Sequence, residues 1–368
     1  MNIKIPNCRK FTGYRPCEPY KECLNCPDEF PVGAKILLVN LDHLGDVLMT
    51  TAQLPALKRK YPESFIVWMT LKNALPLLQH NPFIDRVFEW NDENRLILLQ
   101  MYFDLALNAD KNQNSSAFMM EVNAGVKRGF GLNENGVIVP LNDGANYNYQ
   151  MGLDDRLKFE VNQRTGQDIL AETFELDFQR DEYVLELTTA ERLFCERKKH
   201  EYRIQPGELV VGFNTGCSAQ LPYKKMTIVQ HVTLIEQLLR YSGKIKILLL
   251  GGAAETERNH EINHRAGNQV IETPTTEGIR QGLLYLNLCD VVVTGDTSGL
   301  HMAIALKKNV VAWFGNSAAA EIDLYHRGQK IYCRPSADQK WNMGTPDPAC
   351  VDHLNLQELF EAVVTYLK

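Results

Sequence analysis

Asp296, Thr297, Ser298, Gly299 and His301 stand in VVVTGDTSGLHMAIALKKNVVAWF (residues 291–314), where a β-branched run meets a helix-period segment and then a second apolar run. A strand that breaks at Gly295-Asp296-Thr297-Ser298-Gly299 and restarts as a helix leaves backbone N–H groups without partners. The helix dipole adds partial positive charge at the same place. Phosphate or another anion suits such a mouth, and Asp296 and His301 can hydrogen-bond a polar ligand there. Three other constellations carry chemistry. Asp46 closes Asn40-Leu41-Asp42-His43-Leu44-Gly45-Asp46, between an apolar strand and its helix. It reads either as a helix cap or as a carboxylate that takes a proton from a hydroxyl. Asn214-Thr215-Gly216-Cys217-Ser218, followed by Tyr223-Lys224-Lys225-Met226-Thr227, joins a small-residue loop to lysines before a helix. Such a loop orients an anion through Thr215, Gly216 and Ser218 and neutralises it through Lys224, although adjacent lysines are also common on plain surfaces. Glu255, beyond the glycines of Leu250-Gly251-Gly252, reaches ribose hydroxyls or merely complements a helix dipole.

These residues need strands to carry them and helices to cover the strands. Apolar runs at 36–40, 65–70 and 103–108 read as strands, and helical periodicity covers 46–60 and 71–79. Residues 133–167 are polar and Asn-rich and read as loops with a helix or two, and 182–187 as a strand before a charged helix at 189–200. After Gln205-Pro206-Gly207 the alternation restarts, with strands at 209–214, 244–250, near 269–271, at 291–294 and 310–313. Helices are expected at 228–241, 255–266, 277–288, 300–306 and 354–367. Short apolar strands separated by helices imply parallel sheets covered on both faces. The expected organisation is α/β: a leader at 1–34, a Rossmann-like lobe at 35–204 and a second at 205–368, with ligands at the carboxyl ends of the strands.

Composition narrows the function. With 39 basic and 45 acidic residues the net charge is −6, which disfavours nucleic acid as a partner. No run of about 18 apolar residues and no N-terminal apolar core of a signal peptide is present, so the expected location is the cytoplasm. Neither the Walker A pattern nor G-x-G-x-x-G occurs, which weakens nucleotide hydrolysis and dinucleotide redox chemistry.

Taken together the segments resemble glycosyltransferase family 9, the ADP-heptose heptosyltransferases of lipopolysaccharide core synthesis. The resemblance rests on ILLVNLDHLGDVLMTTAQLPALKRKYP, NPFIDRVFEW, NTGCSAQLPYKKMT, LLLGGAAETE and GDTSGLHMAIALKKNVVAWFG, running in order from about Lys35 to Ser317. It implies a GT-B fold and metal-independent, inverting transfer of heptose from ADP-heptose to a hydroxyl of a glycan or glycolipid acceptor, with peripheral contact at the inner face of the inner membrane. By that resemblance Asp46 is the general base. Lys224, Ser218 and the helix start after Asp296 stabilise the leaving ADP, Glu255 holds ribose, and Asp296 holds the sugar. His301 sits near the phosphates or braces the loop. The chain departs from the family pattern at Asn214-Thr215 (His-Pro), Met226 (Trp) and Ser298-Gly299 (Gly-Pro). These departures leave open a different nucleotide sugar, or a catalytically weak binding or assembly protein of the same fold.

Cys8, Cys17, Cys23 and Cys26 follow C-x8-C-x5-C-x2-C ahead of the first strand. Four thiols at this spacing suit a structural Zn or Fe site, and the other reading is four reduced surface thiols. Similar leaders occur in some members of the family. Cys333 and Cys350 have no pairing that spacing reveals, and Cys195, Cys217 and Cys289 read as small core or loop residues.

Overall fold

The computed structural model describes residues 4–218, 224–315, 317–333 and 348–367. The chain forms two compact units. One comprises Met1–Asp42, Thr50–Tyr149 and Gln167–Asp181, and the other His43–Met49, Gln150–Gly166 and Glu182–Lys368.

In chain order β1 (Lys35–Asn40) leads to α1 (Leu44–Thr50), a 3-10 turn at Thr51–Gln53 and α2 (Leu54–Lys60). The helix expected over 46–60 is interrupted because Pro55 has no N–H to give the Thr51 carbonyl. That carbonyl accepts from Leu54 N–H instead, in a tighter turn. There follow β2 (Phe65–Thr70), α3 (Leu75–Leu78), β3 (Arg86–Glu89), α4 (Asp92–Leu99), β4 (Phe103–Asn108), α5 (Gln113–Glu121), β5 (Ala124–Leu132), β6 (Ile138–Pro140), α6 (Asn146–Met151) and α7 (Gly166–Phe174). The helix expected over 71–79 is thus a single turn. The first sheet runs β3-β2-β1-β4-β5-β6, parallel except for the β5–β6 pair. β1 and β2 are buried on both faces, and one face of the sheet packs Leu37, Val39, Val67, Met69 and Phe103 against Leu98 and Phe118 of α4 and α5.

The second unit continues with α8 (Thr189–Glu201), β7 (Leu209–Asn214), α9 (Ile228–Tyr241), β8 (Ile245–Leu250), α10 (Thr256–Arg265), β9 (Ile271–Glu272), α11 (Ile279–Asn287), β10 (Val291–Gly295), α12 (Ser298–Ala305), β11 (Asn309–Phe314), β12 (Gly328–Tyr332) and α13 (Leu356–Val364). Gln205-Pro206-Gly207 lies inside this unit, between α8 and β7. Its sheet is parallel throughout and runs β12-β11-β10-β7-β8-β9. Phe213, Ile247, Leu249, Val293 and Trp313 pack against Leu234 and Leu238 of α9 and Leu359 and Val363 of α13. Counted from its first strand, each sheet has the same 3-2-1-4-5-6 order, the dinucleotide-fold arrangement in which winding reverses beside the first strand. In the second unit that switch point lies between β7 and β10. No helix among the described residues is long and apolar enough to cross a membrane.

Residues 182–187 are not a strand. The segment is held by side chains instead: Glu182 binds Arg327 (2.6 Å) and Lys307 (2.9 Å), and Arg280 donates to the Glu186 carbonyl (2.7 Å). Beyond it Thr188 and Glu191 form the capping box of α8, and Arg280 grips both Glu191 oxygens at 2.7 and 2.9 Å. Arg280, against an opposing contribution from burial, draws the Glu191 carboxyl down to about 2. Since the folded value lies below the unfolded one, this stability is present above pH ~4.5 and lost as pH falls toward 2. Glu191→Gln should therefore cost about 1–3 kcal/mol in urea unfolding at pH 7. The gap from the parent should close between pH ~4.5 and pH ~2.

Candidate active site

The second unit gathers most of the residues singled out by the sequence at its switch point. β10 ends at Gly295, Thr297 caps α12 by accepting from Gly299 N–H, and Ser298 is the first helical residue. Across the switch point the Asn214 amide at the end of β7 donates to Thr297 Oγ1 (2.8 Å) and Thr294 Oγ1 (3.0 Å). The residue that replaces the expected histidine thus ties the two loops together. Lys224 Nζ lies 2.9 Å from Asp296 Oδ2, and its carbonyl packs against Gly295. Burial opposes ionisation of Asp296, but the Lys224 ammonium, with His301 and Ser317, outweighs it and holds the carboxyl below its ordinary value. An ammonium has three donors, so pairing with one carboxylate oxygen leaves it capacity for a further anion.

The rest of the loop after β7 is partly placed. Thr215 is buried and donates from Oγ1 to the Leu250 carbonyl (3.0 Å). Gly216 lies against the Glu255 carboxyl, where a β-carbon would come within 2.5 Å of Cδ. Glu255 itself is buried and accepts from Gly252 N–H (3.0 Å), so its carboxylate serves the helix start in this structure. Ser218 is exposed, and Tyr223 lies outside the described residues. Arg258 was not legible as a site residue: one basic side chain in a charged helix carries no signal. It nevertheless donates to the Met226 carbonyl and is partly buried beside Glu255 and Cys217.

Asp46 lies in the first turn of α1, on the His43–Met49 segment that packs with the second unit. Its neighbour Gly45 touches the His301 imidazole: a β-carbon there would stand 2.5 Å from Cδ2 and 2.9 Å from Nε2. His301 is buried and held below its ordinary value by burial, against the pull of Asp296. Its Nδ1 shares a 3.1 Å hydrogen bond with the hydroxyl of buried Tyr183. The structure therefore brings the turn of Gly45 and Asp46 against His301 of α12, whose start carries the Lys224–Asp296 pair.

The cysteine leader belongs to the first unit. Cys17 is exposed and Cys8, Cys23 and Cys26 are half-buried, all as thiols. No group of three or more His, Cys, Asp or Glu among the described residues is placed to hold a metal. Cys195 and Cys289 are buried as expected. Cys333 and Cys350 prove to be neighbours, hydrogen-bonded thiols whose contact, with burial, pushes the Cys333 thiol up.

The sequence profile of glycosyltransferase family 9 (heptosyltransferase) matches residues 96–348, more than half of the chain. The chain belongs to glycosyltransferase family 9. Solved structures agree on the fold. A family 9 glycosyl transferase from Veillonella parvula superposes with a TM-score of 0.71 at 18% identity, over 91% of this chain and 97% of that one. The ADP-heptose lipopolysaccharide heptosyltransferase II of E. coli gives 0.62 at 19%, over 90% and 99%. TibC of enterotoxigenic E. coli, a dodecameric iron-containing heptosyltransferase solved with ADP-D-β-D-heptose, gives 0.54 at 9%, over 95% and 82%. No curated protein sequence matches. The family 9 chain described here is thus a GT-B glycosyltransferase, as its motifs implied.

A glycine at position 45 has a physical reason in this chain, because the imidazole edge occupies the space a larger residue would need. Gly45→Ala should displace the Asp46 turn by the better part of an ångström and lower kcat by about 10²-fold. The change in donor KM should be far smaller, as steady-state kinetics would show.

Proposed function

We propose that this enzyme transfers a heptose from ADP-heptose to a hydroxyl of a cell-envelope glycan such as the lipopolysaccharide core, with inversion at the anomeric carbon. The observation that carries the reading is the Lys224–Asp296 pair at the mouth of α12, with the turn of Asp46 packed against His301 in the same unit. The enzymes it resembles support the donor: the E. coli heptosyltransferase II acts on ADP-heptose, and TibC was solved with ADP-D-β-D-heptose.

In this reading Asp46 accepts the proton of the acceptor hydroxyl as its oxygen bonds to the anomeric carbon. The bond from that carbon to the phosphate oxygen breaks, and ADP departs with the electron pair. Lys224 and the first N–H groups of α12 meet the charge growing on the diphosphate, where preorganised positive charge lowers the barrier most. Ser218 and Thr215-Gly216 line the donor loop, Glu255 would reach the ribose only by exchanging its bond with Gly252 N–H, and Asp296 orients the sugar hydroxyls while keeping Lys224 in place. Asn214 spends its amide on Thr294 and Thr297, so the family's histidine contact is missing here. That favours, as a second reading, a nucleotide sugar other than ADP-heptose. The first unit would receive the acceptor, and the enzyme would work in the cytoplasm, peripherally at the inner face of the inner membrane.

The leader cysteines Cys8, Cys17, Cys23 and Cys26 would form a structural Zn or Fe site, a reading supported by the iron content of TibC, which shares the fold. Their described positions do not converge, so binding would require the leader to rearrange, and metal analysis of the purified protein decides it.

Asp46→Asn tests the mechanism. Turnover of ADP-heptose with a heptose-deficient core acceptor should fall by about 10²–10⁴-fold, while donor affinity stays within about twofold. Undiminished turnover would remove Asp46 from the chemistry.

A further inference from the structure

We propose that Tyr183 is a positioning residue of this site: its hydroxyl donates to His301 Nδ1, fixes the imidazole as the Nε2–H tautomer, and seats the ring edge against Gly45 so that the turn bearing Asp46 keeps one geometry. The inference rests on the reading of Asp46 as the base and goes beyond it, since no motif marks Tyr183.

Three contacts carry the argument. The Tyr183 hydroxyl and His301 Nδ1 are 3.1 Å apart, both in buried side chains. The two rings lie nearly parallel, 13° between planes and 6.1 Å between centroids, so the imidazole is restrained in tilt as well as in tautomer. The opposite edge of the imidazole, Cδ2 and Nε2, faces Gly45. Rotating the ring would either break the tyrosine bond or drive atoms into α1.

Tyr183 is itself fixed from behind. Tyr325 meets it edge-on at 85° and 6.2 Å. Tyr325 adopts a left-handed backbone (φ 51°), as does His326 (φ 61°), and the Tyr325 N–H is held by the Asp323 carboxylate at 2.7 Å. Such backbones cost a non-glycine residue about 1–3 kcal/mol and persist where the surroundings over-determine them. Arg327 stacks on the Tyr325 ring at 5.4 Å and binds Glu182, the residue preceding Tyr183, whose other oxygen takes Lys307. A continuous line of contacts therefore runs from Lys307 and Arg327 through Glu182, Tyr183 and His301 to Gly45.

The proposed direction suits the protonation state of both partners, a phenol able to donate and a neutral imidazole able to accept at Nδ1. Burial, together with Tyr325, Asp46 and Asp296, keeps the Tyr183 phenol protonated, and burial keeps His301 neutral. A phenol that donates to Nδ1 leaves the imidazole proton on Nε2, the atom beside the Asp46 turn.

The test is nitrogen NMR of the imidazole rings, with the His301 signal assigned by its loss in His301→Gln, joined to kinetics of Tyr183→Phe. In the parent protein His301 should appear as a single Nε2–H tautomer, and in Tyr183→Phe as a mixture. With the fold retained by circular dichroism, kcat of Tyr183→Phe should fall about tenfold or more with donor KM within about twofold. An Nδ1–H tautomer in the parent overturns the proposal without recourse to any variant, and so does an unchanged kcat in Tyr183→Phe. Failure of the Asp46 reading would look different: Asp46→Asn would turn over normally while the His301 tautomer stood as described.

Discussion

A carboxylate drawn partly out of water at the head of a helix needs a cation beside it, and Asp296 obtains one from Lys224, seventy-two positions away in the chain. Most of the site follows from that pairing. It draws the loop after β7 onto the loop after β10, the two connections that flank the switch point, and the Asn214 amide repeats the link a few ångströms away. The result is a helix start with an ammonium already in place beside it, which the proposed reading assigns to the diphosphate. Preorganisation of this kind matters for catalysis because the charge need not be assembled during the reaction.

The same economy governs the Asp46 turn. A short helix after a strand is free to adjust unless something holds it, and here His301 fills the space that the missing side chain of Gly45 leaves. Since His301 belongs to α12, the start of that helix and the turn carrying Asp46 are referenced to one another by direct packing. The aromatic and ionic contacts behind Tyr183 extend that reference to β12 and to the segment before α8.

How much of this was legible in the sequence depended on where each element sits. Interior strands such as β1, β2, β7 and β10 are buried on both faces, so their residues must be apolar without interruption and their limits stand out. Edge strands carry no such requirement. β3, β6 and β12, with Arg86, Pro140 or Gln329 and Lys330 in them, lie at sheet edges and showed no strand signal. β5 is partly exposed and carries three glycines, and it was hidden for the same reason. Asp46, Lys224, Asp296 and His301 could be singled out because motif spacing survives divergence. Tyr183 and Arg258 could not be, because contacts such as Tyr183–His301 and Arg258–Met226 join residues far apart in the chain and no local pattern encodes them. The segment 182–187 misled for a related reason: its β-like composition serves side-chain anchoring by Glu182 and Tyr183, with no neighbouring strand to pair with.

The most direct measurement of the central claim is calorimetric binding of ADP, ADP-heptose and a UDP-sugar to the parent protein and to Lys224→Ala. If Lys224 holds the diphosphate at the mouth of α12, ADP and ADP-heptose bind the parent, the UDP-sugar binds much more weakly, and the variant loses about tenfold or more in affinity for both ADP ligands. Binding of ADP-heptose that is indifferent to Lys224, or no binding of either ADP ligand, would contradict the account and move the donor site elsewhere.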